Sequence, residues 1–152
     1  MNTPQQSEYR DVLQSLETSL ETPRVSGELE RWIAAVQKNV ESMGRLLPGQ
    51  IERHHAARLR QIAAEDPGLN AEVERLKAGD DESREQFDNL QERVNRLATR
   101  ATKVEPDESL LETELVSLTA LGLDFVIYAR KQEIAIDAWQ QEALYRDTGG
   151  SG

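Results

Sequence analysis

PDESLLETELVSLTALGLDFVIYARKQEIAIDAWQQEALYR, residues 106–146, decides the fold. Leu111, Leu115, Leu118, Gly122, Phe125 and Ala129 recur at steps of four and three, and the stepping continues through Gln132, Ile136, Trp139 and Ala143. Residues three and four apart share one face of an α-helix. The stretch therefore predicts one long helix with an apolar seam in which Gln132 is the large polar residue. Pro106 suits the first helical position, and Asp107 and Glu108 suit the positive end of the helix dipole. Phe125 and Trp139 are expected to be buried anchors of this helix.

The same stepping runs through the preceding segment, from about Asn70 to Lys103. Its seam is Val73, Leu76, Asp80, Ser83, Phe87, Leu90, Val94, Leu97, Ala101 and Val104. Gly79 weakens a helix by about 1 kcal/mol relative to alanine, so a distortion or a short break is expected there, with Asp80 or Asp81 recapping. Upstream, Leu29, Ile33, Val36, Val40, Met43 and Leu47 form a seam that resumes at Ile51, His55, Leu59 and Ile62. Pro48 lacks a backbone donor and clashes with the preceding turn, so the second helix should kink or break near Pro48-Gly49. Pro67-Gly68 marks a turn. The first helix, Ser7 to Glu21, carries Tyr9, Val12, Leu13, Leu16 and Leu20, and Ser26 is placed to cap the second. No stretch alternates with a period of two. Four amphipathic helices with short connections predict an all-α fold, an antiparallel up-down-up-down four-helix bundle, as one domain over residues 1–150.

The totals narrow the function classes. There is no cysteine among the 152 residues, which excludes disulfides, zinc thiolates and thiol nucleophiles and fits a cytoplasmic location. A net charge of -10 makes nucleic acid and anionic membrane poor partners. No apolar run approaches the roughly 20 residues that span a bilayer, and the N-terminus lacks the pattern of a signal peptide. There is no phosphate loop and no Ser/His/Asp signature. Arg93, Arg96, Arg100 and Lys103 form a basic stripe, read as a solvated helix face. Tyr128 and Trp139 are read as packing residues.

Three seams carry polar residues where apolar ones are expected: His55, then Asp80 with Ser83, then Gln132. In a bundle, metal and cofactor sites are assembled from inward side chains on different helices, whereas buried polar groups without such a role satisfy one another by hydrogen bonds. His54 and His55, the two histidines, project about 100° apart on a helix and do not converge on one ion. No His-x-x-x-His or Glu-x-x-His pair is present, and no pair of carboxylates has a stated reason to converge.

Three segments resemble the bacterial hemerythrin-like family, four-helix bundles that hold a di-iron site: AAEDPGL (63–69), VERLKAGDDESREQFDNL (73–90) and QEIAIDAWQQEALYRDTGG (132–150). The resemblance places the family's third-helix histidine at Asp80, its last-helix histidine at Gln132 and a later glutamate at Ile136. Glu133 is retained. His54 or His55 lies near the second-helix ligands, but Arg58 and Leu59 stand where a glutamate should follow. The resemblance therefore implies a bundle without an intact di-iron ligand set. No metal and no cofactor are expected. His55, Asp80, Ser83, Gln132 and Glu133 would form a residual polar cluster, in a non-catalytic structural or interaction module that engages a protein partner or itself. Two alternatives remain open: an oxygen or redox sensor using a reduced ligand set around His55, Asp80 and Glu133, and an oligomerising coiled-coil-like adaptor unrelated to the family. Glu133 flanks the seam and serves as a control if exposed.

Overall fold

The computed structural model describes residues 3–101 and 108–149. Lys103, Val104, Pro106 and Asp107 lie outside them. Among the described residues there is no strand. The chain forms α1 (Pro4–Glu21), α2 (Leu29–Gly49), a π turn (Gln50–His55), α3 (Ala56–Glu65), a short 3-10 turn (Pro67–Leu69), α4 (Asn70–Ala101) and α5 (Glu108–Gly149). The four helical segments pack together, α2, the π turn and α3 following one another without a break.

Each boundary has a local cause. α1 begins three residues earlier than the apolar spacing alone indicates. Thr3 and Gln6 form a reciprocal capping box and Pro4 occupies the first turn, where its missing N–H costs nothing. Ser26 does not cap α2. Glu28 is the N-cap and makes no side-chain capping bond, because the chain turns at Gly27, whose φ of +85° is a glycine conformation. Asp66 accepts from the Gly68 N–H and closes the turn before α4.

Pro48 neither ends nor breaks the second helix. The seam Met43, Leu47, Ile51, His55, Leu59 advances by four at every step, and an ideal α-helix drifts by about 40° per such step. The π turn widens the ladder just after Pro48, where the proline has already removed one hydrogen bond, and all five residues stay buried. Beyond the turn the neighbours change. α2 packs on α1 and α4, whereas α3 packs mainly on α5 and more lightly on α4.

The buried apolar residues fall into two clusters. The larger joins α1, α2, the C-terminal part of α4 and the N-terminal part of α5, with Leu16, Val36, Met43, Leu90 and Phe125 at its centre. Phe125 is fully buried and its ring lies 5.4 Å from that of Phe87. The smaller joins α3, Leu69, the start of α4 and the end of α5 through Leu59, Ile62, Leu69, Val73, Leu76, Ile136 and Ala143. Trp139 is half-buried and packs against this smaller cluster from outside rather than anchoring it. α4 runs without interruption through Gly79. The expected distortion is absent because the glycine serves a contact: a Cβ there would stand 2.7 Å from Gln132 Nε2 and closer still to Oε1.

Candidate functional site: a charged layer between two apolar cores

The residues that interrupt the seams meet between the two apolar clusters. His55 closes the π turn and is 2% exposed. Its Nδ1 lies 2.8 Å from Asp80 Oδ1 on α4, and its Nε2 hydrogen-bonds Glu133 Oε1 on α5. Gln132 donates from Nε2 to the Leu76 carbonyl and, at 3.2 Å, to Asp80 Oδ1. The amide can lie flat against α4 because Gly79 has no side chain. Gln50 donates to Glu133 Oε1 at 2.9 Å. Ser83 is buried one turn beyond Asp80, yet its Oγ has no partner among the described residues.

Further side chains extend the layer. Arg58, on α3, pairs with Asp137, stands 3.9 Å from Glu133 Oε2, and donates from Nε to Gln140 at 2.8 Å. Gln140 in turn donates to Gln61. Tyr9, 2% exposed, brings α1 to the cluster. Burial raises its hydroxyl pKa, and the Glu133 and Asp80 carboxylates raise it further.

Glu133 is not an exposed control. It is a part-buried member, its side chain 13% exposed, and Asp80 and Glu133 are a pair of carboxylates that converge on one imidazole. Burial favours the neutral ring, but the hydrogen bonds to Asp80 and then Glu133 outweigh it, lifting the His55 pKa from 6.5 to about 9. Burial alone would raise the Glu133 pKa. The bond from His55, with Gln50 and Arg58 behind it, holds it below its ordinary 4.5. At neutral pH the site is thus an imidazolium donating from both nitrogens to two carboxylates, backed by a guanidinium. A doubly donating ring has no lone pair to accept a proton or bind a metal.

Among the described residues no group of three or more His, Cys, Asp or Glu side chains is arranged to hold a metal ion. Asp80 and Glu133 sit at opposite ends of the ring, so their oxygens do not meet at one point. Gln132 is spent on a backbone carbonyl, and Ile136 is apolar and fully buried. The residues present do not fit a di-iron centre. A cleft of about 540 Å³ between the π turn, α3 and α4 reaches Asp80, passing Ile51 and Leu59, with Arg60, Lys77 and Arg84 also lining it. His54 points elsewhere, to Gln5 on α1. In the basic stripe, Arg93, Arg96 and Arg100 engage Ser117, Glu92 and Glu114.

Sequence spacing finds His55, Asp80, Ser83 and Gln132 because they stand on the seams. Gln50, Arg58, Asp137 and Gln140 stand beside them. Their signal is a second register, Glu133, Asp137 and Gln140, stepping four and three along α5 opposite Arg58 and Gln61. Among known proteins, no family model, no curated sequence and no solved structure matches this chain.

Proposed function

We infer that the chain is a non-catalytic structural or interaction module of the cytoplasm. It is an antiparallel up-down-up-down four-helix bundle on the hemerythrin-like plan, with an ion-pair cluster in place of an iron centre. The order of the contacts supports the topology. Gln5–His54, Ser15–Asn39 and Thr22–Trp32 join α1 to the second helical segment. Gln37–Asn95, Glu52–Arg84 and His55–Asp80 join that segment to α4. Arg93–Ser117, Phe87–Phe125 and Asp80–Gln132 join α4 to α5. In every set one number rises as the other falls. No helix among the described residues is long and apolar enough to cross a membrane.

The observation that carries the reading is the commitment of both His55 nitrogens to carboxylates. It turns the position where a bundle would hold a metal into a closed charge network. Such networks pin helix register more surely than they add stability. The test is anaerobic titration with ferrous iron or zinc, following calorimetric heat and the thermal midpoint. No stoichiometric heat and an unchanged midpoint are expected. A stoichiometric heat with a raised midpoint, both abolished by His55→Ala and Asp80→Ala, would establish the sensor alternative instead.

A further inference from the structure

Five of the six large apolar side chains that stay exposed among the described residues belong to α5: Val116, Ile127, Ile134, Leu144 and Tyr145. Val116, Ile127 and Ile134 are 55%, 49% and 67% exposed. At 100° per residue these three fall within about 20° of one another on the helix, and Ala120, Leu123 and Ala138 lie within about 40° of them. Phe125, Gln132 and Ile136 stand on the opposite side. α5 therefore carries two apolar seams, one filling the core and one facing out, where a surface helix ordinarily has a polar face.

Charge indicates what covers the outer seam. Asp124 and Lys131 flank Ile127 on the same side of the stripe. Both are exposed, and neither enters an ion pair among the described residues. Arg130, on the other flank, is held by Glu17 at 2.5 Å. We propose that the outer face of α5 packs against α5 of a second copy of this chain, antiparallel about a twofold axis beside Ile127, giving a reversible homodimer. A twofold interface sets the same patch against itself. Antiparallel pairing brings Asp124 of each copy to Lys131 of the other. Parallel, in-register pairing would instead set the Asp124 and Lys131 flank of each copy against the Arg130 flank of the other, with no Asp124–Lys131 pair. With the axis midway between Asp124 and Lys131, Val116 of one copy stands opposite Trp139 of the other, so the shared stripe is about 35 Å long and about 10 Å wide, or roughly 350 Å² per copy. The total, about 700 Å², lies well below the roughly 1,200 Å² at which stable interfaces begin, in the range of a weak, concentration-dependent association.

This partner assignment rests on the reading of the chain as an interaction module. Sedimentation equilibrium of the whole chain over about two decades of concentration tests it. The mass should rise from the 17.1 kDa of one chain toward twice that value. Ile127→Glu should raise the dissociation constant by about tenfold or more, with the far-ultraviolet dichroism and thermal midpoint of the dilute protein unchanged. Asp124→Lys should weaken association, and adding Lys131→Asp should restore it. A wild-type chain that stays monomeric throughout would overturn the proposal, as would an Ile127→Glu variant that associates like wild type. A double variant as weak as Asp124→Lys alone would overturn the antiparallel pairing. The metal titration decides the module reading independently of these results.

Discussion

At the residue scale the decisive fact is that one buried imidazole serves two carboxylates. Removing one partner of a buried pair leaves the other charge uncompensated, which typically costs about 3–5 kcal/mol. His55→Ala is therefore expected to cost that much in denaturant melts, against about 1–2 kcal/mol for Gln132→Leu, since the Leu76 carbonyl keeps its helical partner. The pH dependence has a definite sign. His55 has a folded pKa, about 9, above its ordinary 6.5. Its contribution is complete below 6.5 and is lost as pH rises through about 9. Glu133 is shifted the other way, so its contribution is present above 4.5 and is lost as pH falls below it. Urea midpoints measured across pH should show a plateau between these limits and a decline on the alkaline side. His55→Gln should remove the alkaline decline, and a decline that survives this substitution would assign it to other groups. His55, Asp80 and Gln132 were legible in the sequence because a polar residue on an apolar seam breaks a pattern. Glu133 entered the expected cluster only through the family resemblance, because at the edge of a seam exposure and burial leave the same signature. Only the approach of α3 to α5 decides between them.

At the element scale, glycine and proline act here through what they allow rather than what they weaken. Intrinsic propensity favours alanine over Gly79 by about 1 kcal/mol. The Gln132 amide occupies the space a methyl group would need. Gly79→Ala is therefore expected to destabilise by about 1–3 kcal/mol, as the displaced amide leaves Asp80 short of a donor. Gly79→Ala combined with Gln132→Ala should recover part of that loss, because the obstructing amide is gone. Equilibrium denaturation of the two variants checks both. The seams of α4 and α5 could be read directly, and Phe125→Ala should cost about 3–5 kcal/mol, the usual result for a buried aromatic. The π turn was only half legible: proline signalled a disturbance, but its form is decided by the run of four-residue steps that the core demands. Trp139 was misjudged from its spacing because the larger core does not reach that end of α5, and the smaller cluster leaves the ring half-buried.

At the scale of the whole molecule, the charged layer divides a large apolar core from a small one. Among the described residues the larger cluster has 22 buried apolar members and the smaller 7. Local opening free energy follows the apolar contacts a segment buries. The end made of α3, the start of α4 and the last turns of α5 should therefore open before the rest. The layer couples the two parts: His55 precedes α3 in the chain, Asp80 and Glu133 sit on the two helices that α3 packs against, and Arg58 fastens α3 to α5. Deprotonating His55 removes the charge that holds α4 and α5 to the π turn, and the small core lacks the buried area to replace it. Native-state hydrogen exchange should thus show amides of 56–76 and 136–146 exchanging at lower free energy than those of 33–47 and 87–97. That gap should widen as pH rises from about 6.5 to about 9, once rates are corrected for the intrinsic effect of hydroxide. In Arg58→Ala the gap should already be wide at pH 6.5. Uniform protection across both ends at every pH would mean that the charged layer lies inside one cooperative unit and couples nothing.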